Sequence, residues 1–276
     1  MPGCIIELGN VSAGYGRYQA ARPDESRFVI RDISLGIQEG SCVCLLGPNG
    51  CGKTTLLRVI AGLLPAYGDV RIDGRNIRSL KRREIASCIS FLSQMPQIYY
   101  SYTVFETVMQ GRYVHHSSFF KAGTSADVQI VEEILETLGL RDLARKQITS
   151  LSGGQLQRVM LARCIAQNSP VLILDEPMNH LDLKVQSEFI EFLTSWRQKI
   201  VVTDTGRKFR PTIIGVFHDI GTAAYMADQI ALLSGGRLLA FDEKKNVLNE
   251  ELLRRAYDFD VAGYLRTYRI PWKFEI

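Results

Sequence analysis

Eight residues, 47–54, read G-P-N-G-C-G-K-T, and they constrain the fold more than anything else in the chain. They fit the pattern G-x-x-x-x-G-K-[ST], a loop that must leave a strand and enter a helix to work. The flanks supply both. Residues 41–46 (SCVCLL) form a short apolar run, as a buried strand does, and residues 54–64 are apolar at helical spacing up to Pro65. In such a loop Gly47, Gly50 and Gly52 let backbone N–H groups close around phosphate oxygens, with Pro48, Asn49 and Cys51 between them. The helix that follows aims the positive end of its dipole at the same anion. Lys53 then reaches the β- and γ-phosphates, and the Thr54 hydroxyl binds Mg²⁺.

The rest of the chain suits that core. Strand patterns occur at residues 4–11, 89–92, 171–174, 212–216 and 230–233. Residues 101–169 differ in character and read as amphipathic helices, including 126–138 and 154–166. Strands on both sides of a helical insert imply an α/β core carrying a helical subdomain. The chain has 276 residues and is 46% hydrophobic, enough to bury a full core, which excludes global disorder. Its 33 basic and 29 acidic residues give +4, too mild a charge to imply nucleic acid. No apolar run reaches the ~18 residues of a membrane span. The first sixteen residues lack the pattern of an export signal. Six scattered cysteines without a CxxC pair fit a cytosolic chain with reduced thiols. Residues 17–27 and 198–210 read as polar surface loops, and Lys81, Arg82 and Arg83 as a solvated helix face.

Two further stretches carry chemistry. Residues 171–176 (VLILDE) place two carboxylates after four buried-strand residues. Asp175 can hold Mg²⁺, and Glu176 can activate a water for attack on the γ-phosphate, because successive strand side chains point opposite ways. Residues 151–155 read L-S-G-G-Q and open a helix. Ser152 caps that helix, and Gly153 and Gly154 let the backbone approach a ligand, with Gln155 following. This is a second anion site in one chain.

Phosphate loop, LSGGQ and VLILDE, in this order, resemble the nucleotide-binding subunit of an ABC transporter, and the likeness runs from Tyr15 to about Asp242. It implies an α/β fold of P-loop NTPase (ABC ATPase) type, with an antiparallel β subdomain and an inserted helical subdomain. The implied limits are 1–242 for the ATPase domain, about 95–168 for the helical insert, and 243–276 for a tail packed on the core. Further roles follow from the resemblance. Gln94 is similar to the Q-loop glutamine that touches Mg²⁺ and the attacking water, and His218 to the switch histidine on the γ-phosphate. Asn179, His180, Leu181 and Asp182 resemble the D-loop, with Asp182 facing the partner subunit. Tyr15 resembles the aromatic that stacks on adenine, with Tyr18 as its competitor. ATP is held between residues 47–55 of one subunit, Thr55 included, and residues 152–155 of the other. Met178 and Cys51 depart from the usual Thr or Ser. At Cys51 the adjacent Lys53 and the helix start favour a thiol of lowered pKa. His115, His116 and His180 show no ligand pattern.

One phosphate loop and one LSGGQ per chain imply a two-fold pair, either two copies or a copy with a homologous ATPase subunit. With no fused membrane domain, transport needs two separate permease subunits, at the cytoplasmic face of the membrane, and indirectly an extracytoplasmic substrate-binding protein. No nucleic acid is expected. Soluble ABC ATPases of translation or repair are the rival class; they usually carry two cassettes or a long coiled coil. A non-hydrolysing binding module is disfavoured by Lys53, Glu176 and His218. Residues 103–115 (TVFETVMQGRYVH) resemble importers of iron–siderophore, haem and cobalamin complexes, with zinc and manganese importers as the alternative. Tyr99, Tyr100 and Tyr102, beside the Q-loop, are candidates for the permease contact.

Overall fold

The computed structural model describes residues 3–16, 24–93, 101–116, 123–179, 181–203, 206–217 and 219–268. The chain opens with β1 (Cys4–Gly14), β2 (Phe28–Gln38) and β3 (Cys42–Leu46). The glycine-rich loop leads into α1 (Lys53–Ile60), followed by β4 (Tyr67–Ile72), β5 (Arg75–Asn76), α2 (Arg82–Cys88) and β6 (Ile89–Leu92). The middle is helical, with α3 (Val104–Met109), α4 (Ser125–Thr137) and α5 (Gly153–Ala166). Then come β7 (Val171–Asp175), α6 (Leu183–Arg197), the short β8 (Val201–Val202) and β9 (Lys208–Phe209), and β10 (Thr212–Val216). The last part holds α7 (Ile220–Met226), β11 (Gln229–Ser234), β12 (Arg237–Glu243), α8 (Lys244–Val247), α9 (Glu250–Tyr257) and α10 (Val261–Tyr268).

The main sheet has the order β12-β11-β3-β10-β7-β6. All its pairs are parallel except β11 with β12 at one edge. Every residue of β3, β7 and β10 is buried, as expected of central parallel strands covered on both faces. Each fully buried aliphatic side chain contributes about 1.5–3 kcal/mol. Because side chains alternate, β3 serves two cores. Cys42, Cys44 and Leu46 join the cluster built with α5 and α6, whereas Val43 and Leu45 join α1 and the second sheet. That second sheet is antiparallel, in the order β2-β1-β4-β5.

Register fixes where a ligand can bind. Leu45 pairs with Val216, and Val216 with Asp175, so β3, β10 and β7 end in one row. The loops leaving those ends share a single edge of the sheet, where open α/β sheets take their ligands.

Several sequence expectations need adjustment. The strand read over residues 4–11 continues to Gly14, and residues 198–210 contain the β8–β9 hairpin rather than a plain loop. Arg207 beyond its turn pairs with Glu39 and Asp73, pinning the hairpin to the antiparallel sheet. Within the stretch read as a tail, α9 lies against β11 and β12, and Ser234 Oγ donates to the Ala256 carbonyl at 3.0 Å. Among the described residues, no helix is long and apolar enough to cross a membrane.

Candidate functional site

The glycine-rich loop starts where β3 runs out. Gly47 has φ +143°, and a Cβ there would lie 2.1 Å from the Leu233 carbonyl oxygen, so only glycine fits. The loop closes on its own lysine. Lys53 is 7% exposed, and its Nζ donates to the carbonyls of Gly47 at 2.7 Å and Pro48 at 2.9 Å. An ammonium group is thereby held inside a ring of backbone at the first residue of α1.

β7 delivers the carboxylates to the same place. Thr54 Oγ1 donates to Asp175 Oδ1 at 2.9 Å, joining the start of α1 to the end of β7. Asp175 is 4% exposed, and burial pushes its carboxyl above the usual range; the Thr54 hydrogen bond opposes this and the Glu176 charge adds to it. A hydroxyl and a carboxylate oxygen in contact form a hard-oxygen pair of the kind that suits Mg²⁺. Glu176 adopts a left-handed backbone, φ +53°, at a cost of roughly 1–2 kcal/mol. Its N–H donates to the Val216 carbonyl at 3.2 Å, and its Oε2 accepts from Asn179 Nδ2 at 2.7 Å. The backbone of Glu176 is thus tied to β10, and its carboxylate is oriented by Asn179, at the sheet edge.

Tyr15 is exposed, and its hydroxyl accepts from Arg58 at 3.1 Å and Thr55 Oγ1 at 3.4 Å. The aromatic at the end of β1 is therefore tied to the loop's helix. Tyr18, Gln94, Tyr99, Tyr100, His180 and His218 lie outside the described residues.

Ser152 caps α5 in a reciprocal box: its Oγ accepts from the Gln155 N–H at 3.3 Å, and Gln155 Oε1 accepts from the Ser152 N–H at 3.1 Å. Around Gly153 there is open space, but a Cβ on Gly154 would meet Val185 at 3.3 Å. Gly154 thus serves the close packing of α5 on α6 as well as any ligand. Asp182 is exposed and caps α6, accepting from the Val185 N–H at 2.9 Å.

The Cys51 expectation is reversed. Its thiol is 5% exposed and its pKa is raised, because burial outweighs the opposing Lys53 charge and backbone hydrogen bonds. Sequence reasoning also passed over Arg58 and the Asn179 bond to Glu176. Asn179 stands three residues after Glu176, a spacing that could have suggested the contact.

Residues 30–179 match the ABC transporter family. The chain belongs to that family. An ABC transporter ATP-binding protein of Bacillus subtilis, itself uncharacterised, is 35% identical over 94% of this cassette. The cassette spans 54% of that relative's length. The ferric enterobactin transport ATP-binding protein of Escherichia coli is 32% identical over 90% of the cassette and 84% of its own length. Among solved structures, a dimeric ATP-binding cassette in a post-hydrolysis state with ADP and Pi superposes with a TM-score of 0.70 and 26% identity. It covers 86% of this cassette and 98% of its own chain. The α/β P-loop core with its antiparallel sheet is accordingly the fold of an ABC ATPase.

Proposed function

We propose that this cassette binds and hydrolyses ATP to power import through separate permease subunits, with an iron–siderophore or related metal chelate as cargo. The observation that carries the reading is the Thr54–Asp175 hydrogen bond. It brings the loop helix, the buried Lys53 and the fixed Glu176 to one sheet edge. Residues 47–55 wrap the phosphates through backbone N–H groups, and Lys53 exchanges its two loop carbonyls for phosphate oxygens. Thr54 and Asp175 would hold Mg²⁺, with Gln94 as a third ligand; the ion supplies charge neutralisation on the phosphates. Glu176, oriented by Asn179, takes a proton from the attacking water, and His218 and Lys53 stabilise charge on the γ-phosphate. Tyr15 stacks on the base. Ser152, Gly153, Gly154, Gln155 and Asp182 act on the nucleotide of a partner chain.

Residues 1–242 form the ATPase domain in this reading, with the helical insert at about 95–168 and the tail from 243 onward. The protein sits peripherally at the cytoplasmic face of the membrane. Its helical insert, where Tyr102 is exposed, docks to the permease, and a substrate-binding protein delivers cargo outside. The ferric enterobactin relative supports a siderophore cargo.

Glu176→Gln tests the chemistry. It should keep ATP affinity while slowing hydrolysis by ~10²–10⁴-fold, the usual weight of a positioned base. Turnover near the parent rate would remove Glu176 from that role. Uptake of ferric siderophore by vesicles holding the cassette and its permease tests the cargo, with zinc uptake as the contrary outcome.

A further inference from the structure

The backbone N–H of Gly47 does not end in the phosphate loop's own network. It donates to the hydroxyl of Tyr257 at 3.0 Å, across 210 positions of sequence. Tyr257 is the last residue of α9 and is half-buried. Its neighbour Ala256 is tied to Ser234 at the end of β11, the strand that runs parallel beside β3. The end of α9 therefore grips two adjacent strand ends, one of which becomes the phosphate loop.

Gly47 is held on three sides. The Leu233 carbonyl closes the space where a side chain would go, Tyr257 takes its N–H, and its carbonyl takes the ammonium of Lys53. The next residue, Pro48, has no N–H to offer, so the Gly47 amide is the last donor that can anchor the loop's entrance before its turn. Burial raises the Tyr257 phenol's pKa; the Gly47 N–H opposes this and the nearby Cys51 adds to it, so the hydroxyl stays neutral across ordinary assay conditions.

We propose that Tyr257 is a positioning residue for nucleotide binding: its hydroxyl fixes the entrance of the phosphate loop, so α9 sets ATP affinity without touching ATP. The proposal rests on residues 47–54 being the phosphate loop. Without the hydroxyl, the Gly47 N–H loses its acceptor and the first residue of the loop can shift, moving the amides that close around the phosphates. Such a shift weakens ground-state binding and leaves the reacting groups on β7 in place. The signature is a rise in KM with kcat unchanged.

The test uses the full chain and Tyr257→Phe, which keeps the ring and its packing. Binding of a fluorescent ATP analogue and steady-state hydrolysis are measured beside the thermal midpoint. Affinity and KM should worsen by about threefold to tenfold, the scale of one lost hydrogen bond. kcat should stay within about twofold, and the effect should be the same from about pH 6 to 9, because a neutral phenol does not titrate there. Leu253→Ala, buried in the same helix, is the control; it should lower the midpoint and leave affinity intact at temperatures where it is folded. Parental affinity in Tyr257→Phe overturns the proposal. So does an equal loss of affinity in Leu253→Ala, which would assign the effect to helix stability alone. If the parent fails to bind ATP, or if Lys53→Ala binds as the parent does, the phosphate-loop reading itself falls, a result distinct from the other two.

Discussion

At Cys51 two effects compete over one thiol. The start of a helix and a neighbouring ammonium both favour the thiolate, and burial favours the thiol. The structure shows why burial wins. Lys53 Nζ spends its hydrogen bonds on Gly47 and Pro48 and stays 4.0 Å from Sγ, while the loop covers the sulfur almost completely. Cys88, by contrast, is only half-buried, and the other five cysteines are all buried. Maleimide applied to the folded protein should therefore modify Cys88 first and Cys51 much later. Intact mass and peptide mapping during the reaction follow this directly. Cys88→Ser should remove the fast phase, and early label on Cys51 would show that the loop opens faster than its packing implies.

Among the elements, the helical insert is pinned by one buried charge cluster. Arg112, after α3, donates through Nε to Asp127 Oδ1 at 2.9 Å in the first turn of α4, and through a terminal nitrogen to the Ala166 carbonyl at 2.8 Å at the end of α5. The other oxygen of Asp127 accepts from the N–H and hydroxyl of Thr124, with His116 Nε2 at 3.0 Å. Burial alone would raise the Asp127 pKa, but the hydrogen bonds from Thr124 and Arg112 hold it well below the usual carboxylate range. A depressed folded pKa gives stability that is complete above the unfolded value of ~3.9 and is lost as pH falls toward the folded one. Asp127→Asn should thus cost about 3–5 kcal/mol near neutrality, because it removes the charge of the buried ion pair, and the gap to the parent should narrow below about pH 4. Urea midpoints at the two pH values decide it; a gap that stays constant would show that the carboxylate charge is not what matters. Nothing in the sequence announced this cluster, because it joins residues 15 and 54 positions apart. The strands of the main sheet were legible for the opposite reason. Continuous apolar runs such as VLILD are what double-sided burial requires. Of the antiparallel sheet, the sequence pattern showed only residues 4–11 of β1, and β2 and β4 escaped it. In β2 the buried positions are Ile30, then Ile33, Leu35 and Ile37, so the alternation changes phase at Asp32, whose φ is +51°. In β1 the phase changes near Asn10, φ +49°, where the pairing register shifts. A bulge erases the period-two signal that strand recognition depends on. At the candidate site, the contiguous motifs held residues 47–54 and 175–176 in view, whereas the contacts of Arg58 and Tyr257 exist only after folding.

For the molecule as a whole, the decisive question is how many chains make one site. Each chain carries one phosphate loop at the sheet edge and one Ser152-capped helix start that faces solvent. Leu183, beside the exposed Asp182, is an apolar side chain 84% exposed. The similar cassette with ADP and Pi is itself a dimer. If a site needs the loop of one chain and the LSGGQ of another, two differently damaged chains can repair each other. Lys53→Ala leaves the LSGGQ intact, and Ser152→Arg leaves the loop intact. Homodimers of either variant have no complete site. In an equal mixture, half the dimers pair the two variants, and each of those holds one complete site out of two. Activity should then return to about a quarter of the parent level if sites work independently. Steady-state ATP hydrolysis, with each variant alone and then mixed at the same total concentration, reads this out. A mixture no more active than its components would mean that each chain works with its own loop and signature, and the shared-site arrangement would fall.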